Sequence, residues 1–91
     1  MKQETKVWNI GKNYMIRTVT MIQVGKLVKV TPRELVLKDA AWVADTGRFT
    51  TFLREGEVNE VEIFPDGEVI VGRNNVIDAC VWNHKLLRQQ K

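Results

Sequence analysis

The chain is poor in the residues that do chemistry. It has one cysteine, one histidine and one tyrosine in 91 residues. A lone Cys80 makes no disulfide within the chain, which fits a reducing compartment. One Cys and one His fall short of a tetrahedral zinc site. The acids Glu60, Glu62, Asp66 and Glu68 lack the spacing of a calcium loop and read as a solvated sheet face. Gly72-Arg73-Asn74 is too short for a glycine-rich phosphate loop. No apolar run approaches the roughly 18–20 residues that cross a bilayer. The start, MKQETKVWNIGKN, lacks the apolar stretch of a signal peptide. His84, beside a basic tail, reads as a surface residue. Cys80 lies four positions away with no third member to complete a nucleophile. These absences predict a cytoplasmic protein with no catalytic residues, no metal, no cofactor and no membrane contact.

Charge excludes a further class. Residues 1–13 carry three Lys against one Glu, and Lys85, Arg88 and Lys91 add three cations at the other end. Residues 14–84 are then net −2 within a chain of net charge +3. A face that grips a phosphate backbone needs Lys and Arg clustered on the fold itself. Nucleic acid is therefore not the expected partner.

What remains is strand-forming. Ninety-one residues make one domain with a single modest core. Tyr14–Gln23 alternates β-branched and aromatic residues and predicts a first strand. Lys26–Val30 and Glu34–Lys38 predict two more, joined by Val24-Gly25 and by Thr31-Pro32-Arg33-Glu34. Phe49, Phe52 and Leu53 then recur at helical spacing. Asp45 or Thr46 fits the start of that helix, and Gly56 fits its end. Strands return at Glu57–Phe64, Glu68–Val71 and Val76–Trp82. The expectation is an α+β chain, mostly β with one short helix. Its βββ-α-βββ order suits a small antiparallel β-barrel of the SH3 or Sm-like kind. Residues 1–13 form an N-terminal arm, 14–84 the barrel, and 85–91 a basic tail. Open sheet edges, with Trp8 and Trp82, predict a homo-oligomer.

Two stretches offer a ligand something. At Trp42–Arg48, the N–H groups of Gly47 and Arg48 would face outward at the helix start. Arg48 would clamp a phosphate there, and Trp42 or Phe49 would stack a base. At Val71–Asn75, Arg73 and Asn74 supply a cation and an amide on one loop. Tyr14 and Arg17 on the first strand complete the candidate set. A small, anionic, partly aromatic ligand such as a nucleotide suits these residues better than a polymer does.

The segments KNYMIRTVTMIQVGKLV, LVLKDAAWVADTGRF and PDGEVIVGRNNVIDACVW resemble a family of short proteins of tailed phages and prophages that has no assigned function. The resemblance covers roughly residues 12–84. It implies a viral source and brings no catalytic residues. In format the chain is also similar to phage anti-defence sponges, which bind nucleotide messengers of bacterial immunity. The expected function is sequestration of such a messenger, a cyclic dinucleotide or an ADP-ribose derivative, in the infected cell. The alternatives are a structural or adaptor protein, an inhibitor that binds a host protein and, ranked after them, a nucleic-acid-binding module.

Overall fold

The computed structural model describes residues 6–91, so the first five positions of the expected arm lie outside it. The chain is mostly β with one short helix, as the patterning predicts. Its elements are β1 (Asn13–Thr18), β2 (Ile22–Val30), β3 (Glu34–Asp45), α1 (Phe49–Glu55), β4 (Glu60–Ile63), β5 (Glu68–Gly72) and β6 (Val76–Val81). A 3-10 turn at Arg73–Asn75 links β5 to β6. The antiparallel sheet runs β4-β3-β2-β1-β6, and β5 pairs with the first half of β3. No ladder joins β5 to β6 among the described residues, so the sheet stays open.

β3 is twelve residues long and serves two cores. Leu35, Leu37 and Ala40 pack with Tyr14, Ile16, Leu27 and Val71. Ala41 and Val43 pack with Met15, Val24, Phe52, Val58, Val61 and Trp82. The odd-numbered residues thus change clusters between Leu37 and Ala41. One extra residue in a strand sends every later side chain to the other face. That residue is Asp39, whose φ of 51° is positive, a conformation Asp tolerates better than most side chains. β2 bends with it, its register to β3 slipping between Val24 and Lys26 and again between Leu27 and Lys29. At this crease Gly25 lies so close to Ala40 that an added Cβ would sit 3.0 Å from the Ala40 Cβ and 3.1 Å from the Leu37 Cβ. A strand predicted to stop at Lys38 therefore continues to Asp45, through the bulge.

The predicted strand Tyr14–Gln23 is two strands. The Thr18 hydroxyl accepts the Met21 N–H at 3.1 Å, and the Thr18 N–H donates to the Met21 carbonyl at 2.8 Å. A threonine side chain closing on its own backbone competes with the ladder. The β-branched run hid that turn.

The seven-residue α1 covers the second cluster with Phe52, which is fully buried between Phe49 and Trp82. Its end is set by Gly56, at φ 73°, whose N–H bonds the Phe52 carbonyl. The stretch 85–91 lies against the sheet. Leu86 and Leu87 pack on the second cluster, Arg88 donates to the carbonyls of Ala40 and Phe64, and Lys91 exchanges backbone bonds with Val61.

Two substitutions test this architecture. Gly25→Ala should cost about 1–3 kcal/mol through overpacking at the crease, and Ala40→Gly in the same chain should restore part of it. Leu87→Ala should cost about 1–2 kcal/mol, below the 2–5 of a fully buried leucine. Urea titration followed by tryptophan fluorescence reads both. Unchanged midpoints would place neither residue in the packed structure.

Candidate functional site

At the far end of β1, Arg17 sits in a fixed frame. Its Nε donates to Asp78 Oδ1 at 2.7 Å, and its Nη2 donates to Asp78 Oδ2. The guanidinium carbon lies 5.2 Å from the centre of the Phe49 ring. The sheet register brings Arg17 and Asp78 opposite each other across β1 and β6. A planar fork on a carboxylate and a flat cation over an aromatic face both fix orientation. The fork leaves Nη1 with its two donors. The hydrogen bond from Arg17 holds the Asp78 carboxyl below its ordinary range, and burial opposes it only in part.

The two predicted stretches approach this same end by different routes. Phe49, under Arg17, directly follows Arg48, which is exposed. From the other side, the Arg73–Asn75 turn leads into Val76, which pairs with Thr18 next to Arg17. The sheet nevertheless divides them. Phe49 packs on the cluster that contains Val43, and Trp42 points to the opposite face, beside Gln23 and Glu62. Trp42 is 36 % exposed and Gln23 only 7 %.

Several predicted residues have internal duties. Tyr14 is buried at 3 % exposure; its hydroxyl accepts the Asn9 N–H at 2.8 Å and donates to the Val7 carbonyl, and its ring meets Trp8 edge-on. It has no face to offer a ligand. Arg73 Nη1 donates to the Thr31 carbonyl at 2.7 Å, pinning the β2–β3 turn. The helix start differs from its expected place. Arg48 holds the N-cap position without a side-chain cap, and the Gly47 N–H is spent on Asp45 Oδ1 at 2.8 Å. The Thr46 hydroxyl donates to the Gly47 carbonyl. Asn74 is exposed. Trp82 is buried at 3 %, with its indole N–H on the Lys85 carbonyl, which removes it from any oligomer surface. Trp8 is half-buried on its own chain.

His84 was expected at the surface and is half-buried. Its ring lies edge-on to Trp82, and Nε2 donates to the Leu53 carbonyl at 2.8 Å. That bond directs it to the end of α1. Partial burial, and then the Asp78 carboxylate, push the Cys80 thiol up, away from the reactive thiolate. No group of three or more His, Cys, Asp or Glu among the described residues is placed to hold a metal ion. Two open grooves lie elsewhere. One of about 980 Å³ runs between the end of α1 and the tail, and one of about 580 Å³ lies at Trp8 and Val30. No family model, curated protein or solved structure matches the chain.

Sequence reasoning missed Asp78 and the role of Phe49. Arg17 and Asp78 are 61 positions apart, and only the β1–β6 register makes them neighbours. An acid whose ionised form is stabilised supports the fold above its ordinary titration range and loses that support as pH falls through its lowered value. The Asp78 carboxyl should therefore titrate below the ordinary ~3.9 in an NMR pH series. Arg17→Gln should move its midpoint upward. An Asp78 midpoint that does not respond to Arg17→Gln would dissolve the frame.

Proposed function

We propose that the chain is a non-catalytic binding protein that takes up a phosphate-bearing nucleotide, a cyclic dinucleotide or an ADP-ribose derivative, and acts by sequestering it. The supporting observation is the Arg17 frame, a guanidinium forked on Asp78 and lying over Phe49 with one nitrogen free, and exposed Arg48 next in sequence to that ring. An oriented cation, with a second, exposed one adjoining Phe49 in the chain, suits a phosphate or pyrophosphate. Thr46 and Asn74 are the groups left to meet a base or ribose there, while Trp42 lies on the opposite face of the sheet. Tyr14 and Arg73 hold the walls behind them. On the resemblance to phage proteins, the activity would belong in an infected bacterial cell, where removing a messenger would block anti-phage signalling.

The fold reading extends the same way. The crease in β2 and β3, and the short turn from β5 to β6, suit a sheet curled into a small barrel of the SH3 or Sm-like kind.

A second reading, an adaptor or an inhibitor that docks on a protein, is favoured by Ile70 and Ile77, exposed at 70 % and 62 %. The two readings separate in one experiment. Calorimetric titration with cyclic dinucleotides and ADP-ribose derivatives should give saturable binding to the wild-type chain. Arg48→Ala should weaken it by about 10–100-fold, as expected for one lost charge-assisted contact. Absence of binding to any of them by a well-folded sample would sink the nucleotide reading.

A further inference from the structure

An edge strand presents unpaired N–H and C=O groups, and natural sheets guard such edges with Lys, Pro, charge, bulges or a covering segment. This chain covers one edge itself. Along β4, the Val61 N–H donates to the Lys91 carbonyl at 2.9 Å, and the Lys91 N–H returns to Val61 at 3.0 Å. β5 opens with Glu68, two residues after Asp66, so like charge guards its edge. β6, Val-Ile-Asp-Ala-Cys-Val, has no Lys, Arg or Pro. Its one charge, Asp78, is held by Arg17. Its single bulge lies at the start, beside Thr18.

Direction along β6 is fixed by one bond. The Trp82 N–H donates to the Asn13 carbonyl at 2.8 Å. Backbone groups alternate along an antiparallel strand, so Cys80 and Asp78 also face β1. Ala79 and Val81 then turn their N–H and C=O outward. No backbone bond from a described residue meets them. Ile77 and Val81, two positions either side of Ala79, are 62 % and 41 % exposed.

We infer that β6 is the contact between two copies of this chain, paired antiparallel about a two-fold axis through Ala79. A two-fold contact requires a surface complementary to itself, and this strand satisfies that requirement. Ala79 exchanges both backbone bonds with its own copy, and Ile77 lies opposite the copy's Val81 on one face. Asp78 lies opposite the copy's Cys80, its charge already matched by Arg17. The inference does not depend on the nucleotide reading: no residue of β6 is among the proposed ligand contacts, and Arg17 enters only through its ion pair with Asp78.

Sedimentation equilibrium of the full chain tests it. The wild-type chain should have twice the chain mass. Ala79→Pro should halve that mass, because an outward N–H is not needed by the β1 ladder and an edge strand tolerates proline there. The double variant Ile77→Lys, Val81→Lys should do the same, and it decides if the proline variant does not fold. Far-UV circular dichroism and a cooperative melt establish folding for each. A wild-type monomer, a dimer untouched by the double variant, or a different protein found bound to β6 would overturn the inference.

Discussion

The approach of Gly25 to Ala40 is the constraint on which the rest depends. Two backbones meet there with no room for a Cβ, and Asp39 adds the residue that turns β3 over. Without that extra residue, Leu35 and Leu37 would share a face with Ala41 and Val43. One side of the sheet would then hold Leu35, Leu37, Ala41 and Val43 together. With it, the strand fills one core with its first half and another with its second. A chain of this length gains from that arrangement, because a short sequence has few long strands to spend on burial.

Much of the fold was legible because its rules are local. Alternation in Lys26–Val30 and Val76–Trp82, the 49/52/53 spacing and Gly56 each carry their own signal, and each element lies close to its predicted place. What escaped depends on partners distant in sequence. The Thr18 turn is made by a hydroxyl in the midst of β-branched residues that favour strand. The bulge was hidden because Leu35, Leu37, Ala41 and Val43 are all odd-numbered, and plain alternation puts them on one face. Finding it required the tertiary contacts that put the first pair in one cluster and the second pair in another. The tail was read from its charges, yet Leu86 and Leu87 attach it and Arg88 spends its cation on two backbone carbonyls.

The candidate site shows the same division. Residue type alone puts Arg17, Arg48 and Arg73 in one class, but each meets a different environment. Arg73 is spent on a carbonyl, Arg17 is half-spent on Asp78, and Arg48 is exposed. An exposed guanidinium alone is a solvated charge with little positional information. Arg17, by contrast, is already ordered by Asp78 and Phe49, so on the proposed reading less ordering would remain to be done when an anion arrives. The value of Arg17 to a ligand thus comes from Asp78 and Phe49, neither of which need touch it.

The bare edge and the ion pair are linked through Asp78. An unpaired carboxylate in the middle of β6 would be the guard that natural edges use, repelling any copy laid alongside. Arg17 neutralises it from within the same chain, and in doing so orients its own guanidinium over Phe49. One pair therefore removes a deterrent at the edge of the sheet and supplies order on its face. Losing Arg17 would restore the guard and loosen the rim together. If copies pair through β6 as inferred, that pairing and the order of the Arg17 guanidinium over Phe49 would be physically coupled through one ion pair.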